Sequence, residues 1–140
     1  MNVTIKRVNA AHFEAFTQSG HRIPLDGPAD IGGENRGARP MEMVLVGLAG
    51  CSAVDILHIL QKGRASVDDV EIEVAAKRAD AIPAVFSEIH LRFRVSGSMS
   101  TAQAERAAML SMEKYCSVAR MLAPTVQITH EIQLTSETDS

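Results

Sequence analysis

The chain has 140 residues, 46% of them hydrophobic and 22% charged, a balance that suits one folded domain and excludes a disordered chain. Fourteen Lys and Arg against seventeen Asp and Glu give a net charge of -3 without a basic run, so the composition offers no support for a nucleic-acid or anionic-membrane binder. Tryptophan is absent and aromatic residues make up 4%, which weighs against a platform that stacks single-stranded bases.

The first residues, Met1 to Lys6, alternate in polarity from the third position and lack the charged start and apolar core of a signal peptide. The expected compartment is therefore the cytoplasm, where Cys51 and Cys116 would be free thiols, a redox pair or core residues. Short strands are predicted from Val3 to Val8, His12 to Thr17 and His21 to Leu25, joined by turns at Asn9-Ala10-Ala11 and Ser19-Gly20. A long loop, Asp26 to Arg39, carries Glu34, Arg36 and Arg39 and leads into a helix from Pro40 to Lys62. That helix is apolar nearly all round, so it must be covered on several sides, and in so small a chain a second subunit is the natural source of cover. Its strongly apolar part, Met43 to Ala49, is too short to cross a bilayer core of ~30 Å.

Beyond the helix, alternation predicts strands over Val70 to Ala75, Ile89 to Val95 and Val126 to Leu134. If the first two are neighbours, Glu71 and Glu73 face Arg92 and Arg94 on the solvent side. Helices are predicted from Thr101 to Glu113, capped by Ser100 or Thr101, and from Ser117 to Leu122, ended by Pro124. Thr135 to Ser140 is a polar tail. The class is α+β, one domain over residues 1–140.

Cys51 lies within the long helix among small residues, Gly47, Gly50 and Ala53, which would let another backbone approach closely. A buried small hydrophobe is the commoner fate of such a cysteine, because a reactive thiol requires an electropositive surrounding. Cys116 sits between two helices with Lys114 and Arg120 close in sequence, a setting that favours a thiolate. A half-buried turn cysteine is an equally good reading there. Cys51 and His58 share a helix face but are about 10 Å apart along it, too far for a thiol–imidazole hydrogen bond. Asp55, between them, reads as a solvated or salt-bridged helix residue. Two cysteines alone make no zinc site, and no His or Asp cluster stands at ligand spacing, so neither metal nor cofactor is expected.

The run from Gly37 through Arg39, Pro40, Met41, Glu42 and Cys51 to Asp55 resembles the first signature of the OsmC/Ohr family, and Lys114-Tyr115-Cys116-Ser117-Val118 resembles its second cysteine motif. The resemblance extends over nearly the whole chain. It implies an OsmC-like fold, an antiparallel sheet packed on a long central helix in an intertwined homodimer. It also implies a thiol peroxidase: Cys51 attacks an organic or inorganic hydroperoxide as thiolate, Cys116 closes a disulfide with it, and an external thiol reduces the pair. The peroxidase branches place a glutamate directly after the helix-opening proline and pair it with an arginine near the thiol. Here Met41 takes that place and Glu42 follows, about 13 Å before Cys51 and on the opposite helix face, so any help to the thiol would come from a partner subunit. Arg36 and Arg39 are the candidate arginines, with Arg22 also eligible. The alternative is a non-peroxidase relative that binds a small apolar ligand at the dimer interface.

Overall fold

The computed structural model describes residues 1–135. It forms two compact units, Met1–Val46 and Gly47–Ser140. The expectation for the polar tail falls largely outside the described residues.

In the first unit β1 (Val3–Asn9), β2 (His12–Thr17) and β3 (Arg22–Asp26) form an antiparallel meander in sequence order. The alternation predicts half-buried strands, and β2 obeys it, burying Ala15. β1 does not. Val3 and Ile5 are both 58% exposed, because β1 is the edge of a small sheet and no element of its own unit covers that face. The loop after β3 closes on itself at Gly33, where a Cβ would stand 1.8 Å from the Gly27 carbonyl oxygen, so only glycine fits.

The polar floor of that loop is Asp26, 1% exposed. Its carboxylate accepts backbone N–H groups of Gly27, Glu34 and Arg36 at 2.8, 3.0 and 3.1 Å and the Arg36 Nε at 3.3 Å. The amide of Glu34, with those of Arg36 and Gly27 and the Arg36 guanidinium, holds this carboxyl well below the usual aspartate range against the opposing effect of burial. The loop is thus fixed at three points along its length by one buried charge.

The helix α1 (Pro40–Lys62) begins and ends where the proline and Gly63 predict. Within the second unit it buries Leu48, Ser52, Ile56 and Leu60, one residue every four, so a single stripe is covered. Val54 remains 68% exposed and Leu57 37%. By length and apolarity α1 could also cross a membrane, contrary to what Met43 to Ala49 alone suggests, although core helices pass the same test. Gly47 and Gly50 face open space among the described residues, so the close approach foreseen there is not made within this chain.

β4 (Ser66–Arg78) and β5 (Phe86–Ser98) form a long antiparallel hairpin, extending well past the alternating segments because backbone pairing does not require side chains to alternate. Glu71 lies opposite Arg94 and Glu73 opposite Arg92. Arg94 reaches Glu73 at 2.7 Å and Glu71 at 3.3 Å, the pairing the sequence suggests. The other face of β5 buries Ile89, Leu91, Phe93 and Val95. β6 (Gln127–Thr135) pairs with β5 in parallel, so this sheet is mixed where the resemblance implies an antiparallel one. Alternation carries no strand direction, and the connection through α2 (Thr101–Leu110) and α3 (Ser117–Leu122) is long enough for a crossover. α2 packs against β6 through an alanine-rich face that buries Ala104, Ala107 and Ala108.

Candidate functional site

The helix predicted to run to Glu113 changes character at Ser111. Residues Ser111–Tyr115 form one wide π turn, closed by the Cys116 N–H donating to the Ser111 carbonyl at 2.7 Å. Such turns cluster at functional sites, and this one sets down Cys116 in an extended conformation (φ -71, ψ 107) at the start of α3. There its sulfur caps the helix, accepting the Ala119 N–H at 3.4 Å.

Cys116 is fully buried. Its Sγ lies 3.5 Å from Ser52 Oγ, and the Ser52 hydroxyl donates its one hydrogen to the Leu48 carbonyl at 2.7 Å. The serine oxygen is therefore left to accept from the thiol, which favours Cys116 as S–H. Burial pushes the Cys116 thiol up, against the hydrogen bond that the sulfur accepts from the Ala119 N–H. Lys114 and Arg120, near in sequence, do not reverse this. The local argument for Cys116 as thiolate is outweighed by desolvation. Ser111 Oγ donates to the Ser52 carbonyl at 3.4 Å and ties the π turn to α1.

Cys51 is half-buried one residue before Ser52, and both cysteines are reduced. Asp55, one helical turn after Cys51, comes onto the same face. The two Sγ atoms and an Asp55 carboxylate oxygen all lie within 4.8 Å of one another. Asp55 Oδ2 is buried without a hydrogen-bond partner, so this is not the solvated helix residue that its sequence position suggests. Burial pushes its carboxyl up, with His58 opposing. The spacing of four from Cys51 was the one available signal, since it puts both side chains on one helix face. Nothing in the sequence tells that Cys116 arrives at the same place. Asp55 also lines an open cavity of about 370 Å³, together with His58, Lys62, Arg106, Leu110 and Tyr115. Two thiols and a carboxylate could supply three ligands to a thiophilic ion, or carry redox and proton chemistry without one.

The other expected site residues belong to the first unit, where each has local partners. Arg36 holds Asp26 and donates to Asn9 Oδ1 at 2.6 Å. Arg39 donates to Asn35 Oδ1 at 3.4 Å and to the Gly37 carbonyl at 3.3 Å. Glu42 accepts the Arg39 N–H at 2.9 Å, the reach-back of a helix capping box, which gives this carboxylate a structural task.

The family model for OsmC-like protein matches residues 33–131, a span that takes in both cysteines and Asp55. The chain belongs to the OsmC-like family. Protein YhfA of Escherichia coli (strain K12) is 42% identical over 135 residues, covering 96% of this chain and 98% of its own. A hypothetical protein from Aquifex aeolicus VF5 is 32% identical, with a TM-score of 0.81 and 96% of each chain covered. An organic hydroperoxide resistance protein OsmC from Legionella pneumophila shares the fold at 18% identity, with a TM-score of 0.72 over 95% of this chain and 97% of that one. The OsmC-like fold of this chain, with its two small sheets and helices, is shared with both of these solved structures.

Proposed function

We propose that this OsmC-like protein is a cytoplasmic two-cysteine thiol peroxidase. It reduces organic or inorganic hydroperoxides at Cys51 and is returned to the dithiol by an external thiol. The observation that carries the reading is the meeting of two reduced thiols, Sγ within 4.8 Å, from positions 65 residues apart. Cys51 is the half-buried member and is assigned the attack. Cys116, buried and favoured as S–H, is assigned the resolving step, in which it displaces hydroxide from the Cys51 sulfenic acid. A reduced pair needs only a modest side-chain adjustment to reach bonding distance, about 2.05 Å.

The working form is a homodimer, supported by the exposed apolar residues of β1 and α1, Val3, Ile5, Val46 and Val54. Arg36, Arg39 and Glu42 stay in the reading as candidates for tuning Cys51, to be sorted by substitution. The non-peroxidase alternative draws its support from Met41, which stands in the place of the peroxidase glutamate. One experiment separates the two. Reduced protein receives stoichiometric cumene hydroperoxide, and intact mass and free thiols are then measured. The peroxidase reading expects the loss of two thiols and two hydrogens as an intramolecular disulfide. Two free thiols after excess peroxide would sink it.

A further inference from the structure

Asp55 is a carboxylate that neither the fold nor the two-cysteine cycle yet employs. Its Oδ2 is buried and unpartnered, which is costly unless the group has a task. Its neighbours are few and identifiable. Cys51 and His58 are on its own helix, Cys116 arrives at the start of α3, and Lys62, Arg106 and Tyr115 surround the adjoining cavity. The carboxyl group lines that cavity of about 370 Å³ and has an oxygen within 4.8 Å of both sulfurs.

We infer that Asp55 is the proton carrier of the cycle, serving Cys51 and Cys116 in turn; the inference rests on the peroxidase reading. In the first step the Asp55 carboxylate takes the Cys51 thiol proton. The thiolate sulfur then attacks the outer peroxide oxygen, the S–O bond forms as the O–O bond breaks, and Asp55 returns the proton to the leaving alkoxide. Cys51 is oxidised to the sulfenic acid and the hydroperoxide is reduced to the alcohol. In the second step Asp55 takes the Cys116 proton, the Cys116 sulfur attacks the Cys51 sulfur, and the proton leaves with the departing hydroxide as water. Both steps balance with the hydroperoxide as sole oxidant. A carboxyl group whose pKa is raised by burial takes a proton more readily than an ordinary aspartate, which suits it to accept one from a thiol and pass it on.

The test compares wild type with Asp55→Asn, Asp55→Ser and Asp55→Glu, all reduced and kept in chelator so that no thiophilic ion competes. Two rates are measured for Cys51 in each: single-turnover reduction of cumene hydroperoxide, and alkylation by iodoacetamide, which needs the thiolate but no proton donor. The neutral variants should reduce peroxide more slowly by about a hundredfold. Their alkylation should be unchanged or faster, because the thiol can still lose its proton to solvent ahead of that slow reaction and a negative neighbour of the thiolate has been removed. Asp55→Glu, which keeps the carboxyl group, should retain peroxide reduction well above the two neutral variants. A merely structural role would slow both reactions together, and that result overturns the inference. So does a wild-type peroxide rate in Asp55→Asn, which leaves the peroxidase reading standing. A wild-type protein that does not react with peroxide at all overturns the reading itself, and the inference with it.

Discussion

At the scale of single residues, the charge with the largest structural task is Asp26. A carboxylate that accepts three backbone amides and a guanidinium stabilises the fold only while ionised. Its folded pKa is depressed by those donors, the Glu34 amide foremost, so the stabilisation is present in full above the unfolded value of about 4. It is lost as pH falls from there toward the folded value. Thermal unfolding of Asp26→Asn should therefore show a melting temperature several degrees below wild type at pH 7, and the gap should narrow below pH 4. A constant gap across that range would show that packing, not charge, holds the loop. In the sequence Asp26 was only the first residue of a loop. The donors that give it meaning come from eight and ten residues on and are brought back by a turn that no alternation pattern encodes.

At the scale of elements, α1 and α2 show two different ways of ending up helical. α2 relies on its ends and on alanine. Ser100 accepts the Gln103 N–H at 3.1 Å, and Ser100→Ala should cost about 1 kcal/mol in urea unfolding. α1 depends on one buried stripe, and the contrast between its faces can be measured. Ile56 is fully buried, so Ile56→Ala should destabilise by about 2–5 kcal/mol in the same experiment. The bounds of α1 were legible because a proline and a glycine punctuate it. The end of α2 was not, because the π turn depends on what Ser111 and Cys116 meet in the fold, and their own sequence carries no breaker there.

At the scale of the whole molecule, the exposed faces of β1 and α1 bear on assembly. Apolar residues exposed in such number are seldom left to water. In the proposed homodimer Val54 is covered by the partner, and an aspartate there would have to be desolvated without a counter-charge. Val54→Asp should thus halve the mass measured by light scattering, with helical circular dichroism retained. A wild-type protein that is already monomeric at micromolar concentration would remove the proposal of a dimer.

The sequence by itself determined the class, the order of the elements, the ends of α1 and the solvent-facing placement of Glu71, Glu73, Arg92 and Arg94, which pair because β4 and β5 are neighbours. Each of these is written in local periodicity or in a residue that punctuates the chain. Its two cysteine motifs sufficed to point to the OsmC-like family. Tertiary structure alone decided that β6 runs parallel to β5, since an alternating strand reads the same in either direction. It also decided that Cys116 is buried and disfavoured as thiolate, because desolvation depends on everything packed around a group and not on the charges beside it in sequence. The third decision was Asp55. A carboxylate four residues after a cysteine is ordinary in a helix, and it becomes chemical only when a second thiol, 61 residues further on, is folded against the same face.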